Sequence, residues 1–234
     1  MIPKNLLEVG QYQRLERDRA QTGVRIVTPT LTRITPTRIK YLTTDQATRL
    51  LSKILNPRDR ALFTVAYWRG LRASEVGLIQ VKHWRDQPNN PRLYVTRVKG
   101  GNSGEYLVCD KEARSIRSWL KDRGDWEGPL FCSERRSPIS RQQIDNLMRR
   151  YADSAELPRD LQHAHVLRHS IAVHLTEAGY TIQEVAAWLG HRNIQSTAIY
   201  AQMTSPARDR MAQEFYDSVD GEPRPRVKFR RDKR

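Results

Sequence analysis

The chain has 234 residues, of which 41 are Lys or Arg and 26 are Asp or Glu, so its formal net charge at pH 7 is +15. This positive charge favours a polyanionic partner such as double-stranded DNA through the release of counterions, although composition alone names no reaction. No apolar run approaches the about 20 residues of a membrane-spanning helix and no secretion signal follows Met1, so we expect a cytoplasmic protein without a membrane partner.

Cysteine usage also bears on the compartment. The chain contains only Cys109 and Cys132, which are too few for a disulfide framework and lack a Cys-x-x-Cys partner. Cys132 ends a Pro-Leu-Phe-Cys segment that we expect to be packed in the core. Both residues are therefore predicted to be free thiols in a reducing cytoplasm.

Residues 1–40 are predicted to be an N-terminal arm or linker that is partly extended. A short helix is expected over residues 8–20, whereas residues 27–38 combine prolines with β-branched side chains and favour an extended chain. Residues 41–215 are long enough for a single domain with one sizeable core. The basic, proline-containing segment over residues 216–234 is predicted to be a disordered tail.

The domain is predicted to begin with two helices. Thr44 is expected to cap the first helix, whose apolar face is formed by Ala47, Leu50, Leu51 and Ile54. Asn56 and Pro57 mark the start of the second helix, and Gly70 is expected to end it.

The segment Gly-Leu-Arg-Ala-Ser-Glu follows the second helix. Arg72 is predicted to lie at the mouth of a further helix that starts near Ala73 or Ser74, where the helix dipole and the guanidinium favour the same anion. A lone arginine at such a position is usually a solvated surface charge, but the surrounding pattern favours a binding site. Glu75 is expected to brace an arginine rather than to take part in chemistry.

A β-hairpin is predicted next. Residues 92–99 have the composition of a strand, residues 100–104 are glycine-rich and form a tight reversal, and residues 105–109 return as the second strand. This arrangement places Lys99 at the tip of the hairpin.

A helix with clear end signals is predicted near the C-terminal end of the domain. Thr181 and Glu184 form a capping box, and the apolar stripe of the helix consists of Ile182, Val185, Ala186 and Leu189. Gly190 is expected to end the helix as its C-terminal cap.

Two polar aromatic residues follow within about ten positions of this helix. His191 is expected to emerge directly after the helix, where a ligand can reach it. A further short helix starting at Ser196 or Thr197 carries Tyr200, nine residues after His191.

The sequence His-Val-Leu-Arg-His over residues 165–169 completes a set of groups suited to phosphate chemistry. Arginine can hold phosphate oxygens with paired donors, histidine exchanges protons near neutrality, and tyrosine can form a covalent ester with phosphorus. Taken singly, His191 is better explained as a structural histidine and Tyr200 as a half-buried tyrosine. The joint pattern favours an active site for phosphoryl transfer.

In chain order, these motifs resemble the tyrosine recombinase family, also called the phage integrase family. They are Gly-Leu-Arg-x-Ser-Glu, a hairpin lysine, His-x-Leu-Arg-His, Leu-Gly-His and a tyrosine nine residues further on, and the resemblance covers roughly residues 41–207. Residues 140–143 and 189–194 resemble the short fimbrial phase-switch recombinases, which have no separate core-binding domain. The resemblance implies the α+β fold of the catalytic domain, mainly α with a small antiparallel β-sheet.

The resemblance also implies a site-specific DNA recombinase that acts in integration, excision or inversion. It assigns catalysis to six residues and support to two, namely Arg72, Lys99, His165, Arg168, His191 and Tyr200, with Glu75 and His169 as the supporting pair. His191 is implied to form a hydrogen bond to the phosphate.

The resemblance implies a role for each remaining catalytic residue. Tyr200 attacks the scissile phosphate and forms a 3′-phosphotyrosyl link, while Arg72 and Arg168 hold the non-bridging oxygens. Lys99 protonates the leaving 5′-oxygen, and His165 assists proton transfer at Tyr200.

Partners and cofactors follow from the same resemblance. It implies a transesterification without a metal ion, in which the two arginines stabilise the charge, and no nucleotide cofactor is needed because the bond energy is kept in the ester. Four protomers are expected to act on two DNA sites. An accessory DNA-bending protein is a further candidate partner. In residues 208–215, Met211 and Phe215 lie one helical turn apart and are expected to dock on a neighbouring subunit or to pack on their own domain.

The hairpin departs from the family pattern in one respect. Family hairpins often carry further basic residues after the turn, whereas the return strand here is Glu-Tyr-Leu-Val-Cys. Arg97 is a poor substitute for the lysine because its guanidinium is too basic to give up a proton. Lys99 is therefore retained as the general acid.

Three alternatives compete with this interpretation. Residues 180–200 resemble a helix-turn-helix, which would make the protein a transcriptional regulator without catalysis, but this leaves Gly-Leu-Arg-x-Ser-Glu and Tyr200 unexplained. The second alternative is a zinc site, because His163, His165 and His169 cluster in sequence, but a structural zinc usually requires four ligands. A type IB topoisomerase uses the same phosphotyrosine chemistry, and the small size and short Leu-Gly-His to tyrosine spacing favour a recombinase.

Overall fold

The computed structural model describes residues 39–201. The helix predicted over residues 8–20, the extended stretch over residues 27–38, the segment over residues 208–215 and the tail over residues 216–234 lie outside the described residues.

The described residues form a mainly helical domain with one small antiparallel sheet, and the predicted fold class is confirmed. The α-helices in chain order are α1 (Thr44–Ser52), α2 (Pro57–Trp68), α3 (Ala73–Val76), α4 (Asp110–Arg123), α5 (Arg141–Ser154), α6 (His165–Glu177), α7 (Ile182–Leu189) and α8 (Gln195–Ala201). Short 3-10 helices cover Val81–His83 and Arg159–Leu161. The strands are β1 (Trp84–Arg85), β2 (Arg92–Val95) and β3 (Gly104–Leu107).

Local capping signals determine where several helices begin. Helix α2 starts with Pro57 and is capped by Asn56, as predicted. Helix α1 begins with a capping box of Thr43 and Gln46, so the prediction of Thr44 as the cap was wrong by one residue. The reason is that the sequence contains two adjacent threonines, and only Thr43 has a glutamine three residues later.

The sheet has the strand order β1-β2-β3, with Leu93 opposite Trp84 on one side and opposite Tyr106 on the other. Both predicted strands are shorter than expected, because β2 ends at Val95 and β3 ends at Leu107. The chain between them forms a loop over residues 96–103 in place of a tight reversal. Its backbone leaves the sheet because Arg97 N–H donates to Oγ of Ser103 over 2.9 Å.

The core is built around α2, whose apolar residues are almost completely buried. This helix packs against both α4 and α6. Burying such side chains stabilises the fold by about 1.5–3 kcal/mol each. Cys132 is buried and both cysteines are free, as predicted. Across residues 39–201, no helix is both long enough and apolar enough to cross a membrane.

A buried ion pair joins the end of α2 to α4. Nη2 of Arg69 lies 3.0 Å from Oε2 of Glu112, and both side chains are shielded from solvent. Burial raises the pKa of Glu112 to about 7, against the opposing charge of Arg69. The guanidinium of Arg69 also stacks 4.6 Å from the ring centroid of Trp188 on α7. These contacts connect α2, α4 and α7 directly behind the turn that leads to Arg72.

Candidate active site

The turn after α2 brings Arg72 to the start of α3, as predicted. Gly70 has φ 55°, and the chain reverses there before entering α3. Arg72 occupies the N-cap position, and its side chain is 26% exposed, so its guanidinium borders solvent. An arginine at this position can bind an anion with its side chain while its backbone remains hydrogen-bonded to the helix.

Glu75 is the carboxylate at the centre of the site. Its Oε1 accepts a 2.7 Å bond from Nη1 of Arg72, and its Oε2 accepts from the backbone N–H of Arg72 over 2.9 Å. The same Oε2 lies 3.1 Å from Nη1 of Arg97 and 3.9 Å from Nη1 of Arg168. Burial alone would raise the pKa of Glu75, but the hydrogen bond from Arg72 and the nearby guanidinium charges outweigh it, and the pKa lies below its ordinary value.

Arg168 lies in the first turn of α6 and is only 2% exposed. Its Nη1 donates to the carbonyl of Gly70, and its Nη2 donates to the carbonyl of Leu189 over 3.0 Å. Burial and then the charges of Arg72 and Arg97 lower the pKa of Arg168 to about 10, so it remains protonated at neutral pH. The side chain thus joins the turn after α2 to the end of α7.

We call Glu75 and its three arginines, Arg72, Arg97 and Arg168, the Glu75 cluster. Within the described part of the chain, Glu75 is the one carboxylate that lies within 4 Å of these guanidinium groups. Three positive charges therefore share one negative charge, which leaves a formal excess of two. An excess of buried positive charge is costly until an anion arrives. The cluster is suited to a phosphate group, whose charge increases in the transition state of phosphoryl transfer.

A cavity of about 600 Å³ opens beside the Glu75 cluster. Arg72, Lys99 and His191 all line it, so the structure brings these three predicted site residues together. Lys99 lies in the loop over residues 96–103, with a left-handed backbone conformation of φ 56°. Lys111, the next lysine along the chain, instead lines a separate groove between α1, α2 and α4.

His191 follows directly after α7, as predicted. Gly190 ends the helix in the left-handed conformation with φ 66° and ψ 34°. Nδ1 of His191 lies 2.7 Å from Oγ1 of Thr197 on α8, which orients the ring. Burial and then the charges of Arg168, Arg72 and Arg97 lower the pKa of His191 to about 4, so the imidazole is neutral at pH 7 in the absence of a ligand.

Tyr200 lies on α8, which begins at Gln195, one residue earlier than the sequence indicated. The tyrosine is 2% exposed, and burial raises its pKa, against the lowering effect of the Arg168 and Arg72 charges. Its hydroxyl contacts Nδ1 of His169 at 2.8 Å.

His165, to which the sequence analysis assigned proton transfer at Tyr200, is not the histidine that touches the hydroxyl. His165 and His169 lie one helical turn apart on α6, with ring centroids 4.5 Å apart. His169 contacts Tyr200 on α8, whereas His165 is exposed at the first residue of α6. Helical spacing places the two rings on one face but does not say which of them faces Tyr200.

Sequence reasoning missed Arg97 as part of the site. The sequence indicates this residue only as a poor substitute for Lys99, yet its side chain is completely buried within the Glu75 cluster. Its spacing of two residues from Lys99 was visible in the sequence, but its burial depends on contacts with distant segments.

The alternative of a zinc site receives no geometric support. Among residues 39–201, no group of three or more His, Cys, Asp or Glu side chains is placed to hold a metal ion. His163, His165 and His169 accordingly do not form such a group.

Comparisons of sequence place the chain among known proteins. A model of the phage integrase family matches residues 40–206. The chain is 30% identical over 171 residues to the type 1 fimbriae regulatory protein FimE of Escherichia coli K12, with 69% of this chain and 84% of FimE covered. It is 34% identical over 215 residues to the tyrosine recombinase XerD of Xanthomonas campestris, with 82% of this chain and 64% of XerD covered.

Comparisons of structure lead to the same fold. The crystal structure of XerA recombinase has a TM-score of 0.65 at 24% identity, covering 76% of this chain and 65% of XerA. The catalytic domain of bacteriophage HP1 integrase has a TM-score of 0.55 at 22% identity, covering 80% of this chain and 99% of that domain. The chain therefore spans nearly all of an isolated integrase catalytic domain, but only about half to two thirds of the larger Xer proteins. Because the family model covers well over half of its length, the chain belongs to the phage integrase family of tyrosine recombinases.

Proposed function

We propose that this protein is a site-specific DNA recombinase that cleaves and rejoins DNA through a 3′-phosphotyrosyl intermediate. The observation that carries the proposal is the Glu75 cluster, with its excess of positive charge, next to a cavity lined by Arg72, Lys99 and His191. A transcriptional regulator without catalysis needs neither this cluster nor a tyrosine beside it. Membership of the tyrosine recombinase family supports the same function.

The first chemical step is the attack of Tyr200 on the scissile phosphate. Its phenolic oxygen forms a bond to phosphorus while the bond between phosphorus and the 5′-oxygen breaks, so the ester is exchanged rather than hydrolysed. Arg72 and Arg168, which we call the arginine clamp, bind the non-bridging oxygens as negative charge develops on them. Donors arranged in this way for a developing oxyanion typically contribute a factor of about 10²–10³ in rate.

Two proton transfers accompany this exchange. Nδ1 of His169 lies 2.8 Å from the Tyr200 hydroxyl, so the neutral tautomer with its proton on Nε2 accepts the phenolic proton, with His165 adjacent on the same helix. Lys99 gives a proton to the departing 5′-oxygen. Rejoining reverses both transfers, when the 5′-hydroxyl of the other strand attacks the phosphotyrosine.

The remaining parts of the proposal concern cofactors and assembly. Because the phosphotyrosine conserves the ester bond, the reaction needs no nucleotide, and the arginine clamp stabilises the charge that a metal ion would otherwise stabilise. We assign catalysis to residues 41–215, an arm or linker to residues 1–40 and a basic tail to residues 216–234. Four protomers act on two double-stranded DNA sites, with an accessory DNA-bending protein as a candidate partner.

A covalent trapping experiment tests the proposed function without knowledge of the target site. A pool of duplexes with a randomised centre and a nick in one strand is incubated with the protein. When cleavage occurs close to the nick, the short fragment that bears the free 5′-hydroxyl diffuses away, and its loss prevents rejoining. Adducts that survive a denaturing gel are excised, and their DNA is sequenced. We expect adducts enriched for one DNA sequence. Absence of any adduct from protein that binds the same pool would contradict the proposal.

A further inference from the structure

Arg97 makes more contacts than any other member of the Glu75 cluster. Its Nη1 donates to Oε2 of Glu75 over 3.1 Å and to the carbonyl of Gly70 over 3.3 Å. Its Nη2 donates to the carbonyls of Arg69 over 2.8 Å and Trp188 over 3.0 Å, and contacts the Tyr106 hydroxyl at 3.2 Å. The planar guanidinium therefore connects the turn after α2, the end of α7 and strand β3.

The same partners hold the arginine clamp. Gly70 supplies a carbonyl to Arg168 as well as to Arg97, and Glu75 binds the Arg72 side chain. The segment next to Arg97 is attached to this network too, because the backbone N–H of Val98 donates to Oε1 of Glu75 over 3.2 Å. Lys99 is the following residue. The clamp and the lysine are thus positioned by one shared carboxylate.

Two glycines leave the space that the Arg97 side chain occupies. A Cβ at Gly190 would lie 2.9 Å from Cγ of Arg97 and 2.7 Å from the carbonyl oxygen of Asn102. A Cβ at Gly101 would lie 2.9 Å from Cβ of Arg97 and 2.8 Å from the carbonyl oxygen of Gly190. The backbone N–H of Asn102 in turn donates to the carbonyl of Gly190 over 3.0 Å. The loop that carries Lys99 is therefore closed tightly over the buried guanidinium.

We propose that Arg97 is a positioning residue that fixes the position and orientation of Lys99 relative to the arginine clamp. This inference rests on the proposed function. Arg97 itself cannot serve as the acid, because its guanidinium is buried and too basic to release a proton. It also cannot be replaced by lysine without loss, since an ammonium group lacks the planar arrangement of donors that reaches acceptors on three segments.

The experiment compares cleavage of two nicked substrates by Arg97→Gln in the full chain. One substrate has a normal scissile phosphodiester, and the other has sulfur in place of the 5′-bridging oxygen, which departs without a proton. If Lys99 is misplaced, cleavage of the normal substrate should slow by about 100-fold or more, because general acids contribute about 10²–10⁴-fold. Cleavage of the sulfur substrate should remain within about tenfold of that by the unaltered protein.

The ratio of the two rates is the decisive quantity, because it is measured on one preparation and does not depend on the active fraction. Arg123→Gln is the matched control, since Arg123 is also buried and also donates to backbone carbonyls, those of Gly124, Trp126 and Pro129. We expect this control to lower thermal stability without changing the rate ratio. If Arg97→Gln does not fold, Arg97→Lys is measured in the same way and should show a smaller change in the same direction.

Equal slowing on both substrates would overturn the inference, because Arg97 would then support the clamp rather than Lys99. Unchanged cleavage of the normal substrate would overturn it as well. Failure of the proposed function is distinguishable from both results, since in that case the unaltered protein forms no covalent adduct with either substrate.

Discussion

Nδ1 of His169 lies 2.8 Å from the phenolic oxygen of Tyr200, although the two residues are separated by 31 positions in the chain. Burial and then the charges of His165, His163 and Arg168 lower the pKa of His169 to about 4, which keeps the ring neutral at pH 7. A neutral imidazole can accept a hydrogen bond from the hydroxyl, whereas a protonated ring cannot. The structure therefore holds the nucleophile of the proposed reaction against a proton acceptor.

Replacement of the nucleophile is the most direct test of this arrangement. Tyr200→Phe keeps the ring that fills the core but removes the phenolic oxygen, which is the atom of this side chain that can bond to phosphorus. We expect no covalent adduct with a nicked substrate in a denaturing gel, together with DNA binding close to that of the unaltered protein in a mobility-shift assay. Stability should fall by about 1 kcal/mol or less, since one hydrogen bond is lost. An adduct of equal yield from Tyr200→Phe would assign the nucleophile to another residue.

The arginine clamp should affect cleavage far more than binding. Arg72→Ala is expected to slow adduct formation by about 10²-fold or more, because the lost donor acts on charge that develops in the transition state. Arg168→Ala should do the same and also destabilise the fold, since it removes the Arg168 donor from the carbonyl of Leu189 and leaves the carbonyl of Gly70 with only the bond from Arg97. Each unsatisfied buried carbonyl costs about 1–3 kcal/mol.

Arg117→Ala provides the control for the clamp variants. Arg117 forms an exposed ion pair with Asp86 and lies outside the cavity. Removing a surface charge of this kind should change adduct formation very little. If Arg72→Ala loses DNA binding in proportion to cleavage while Arg117→Ala loses neither, Arg72 is a docking residue rather than part of the clamp.

Lys99 is tested by the chemistry of the leaving group. Lys99→Ala should cleave a normal phosphodiester about 10²-fold or more slowly, yet cleave the substrate with a 5′-bridging sulfur nearly as fast as the unaltered protein. The clamp variants should gain little from the sulfur, because their defect concerns the non-bridging oxygens. Lys111→Ala is the control, since Lys111 lines a different groove. Rescue of Lys111→Ala in place of Lys99→Ala would transfer the acid role to Lys111.

Stability should depend on pH through His169. Its pKa in the folded protein is about 4, against an ordinary value of 6.5, so the folded state takes up its proton later than the unfolded chain as the pH falls. The contribution of this histidine to the free energy of unfolding is therefore complete above about pH 6.5 and is lost as the pH falls towards about 4. Urea titrations of the unaltered protein and His169→Gln across this range should show a stability difference that moves in favour of the variant on acidification. A difference that stays constant with pH would show that His169 does not titrate in this way.

Gly190 should tolerate no side chain. Gly190→Ala places a Cβ in a left-handed conformation and against Asn102 and Arg97, so we expect a loss of at least about 1 kcal/mol in the free energy of unfolding. Gly104→Ala is the matched control, because a Cβ there meets nothing within 4 Å. Thermal unfolding of both variants checks the prediction, and equal melting temperatures would contradict it.

Features that depend on neighbouring residues were predictable from the sequence. The capping box of Thr181 and Glu184, the cap formed by Asn56, and the left-handed Gly190 were placed correctly, because each involves atoms only a few residues apart. The position of Arg72 at the start of α3 followed from the same kind of local signal. The choice of Thr44 over Thr43 was wrong because two neighbouring residues carry the same chemical group.

The tertiary structure alone decided which side chains meet within the site. The hydrogen bonds of Arg97 reach residues that are 22, 27, 28 and 91 positions away, and no periodicity in the sequence encodes such distances. The loop that carries Lys99 leaves the sheet because its amides bond to Ser103 and Glu75 rather than to a strand partner. The choice of His169 over His165 depends likewise on where α8 packs against α6. Sequence determined the chemical groups and their local helix ends, whereas burial and long-range hydrogen bonds determined how those groups are arranged.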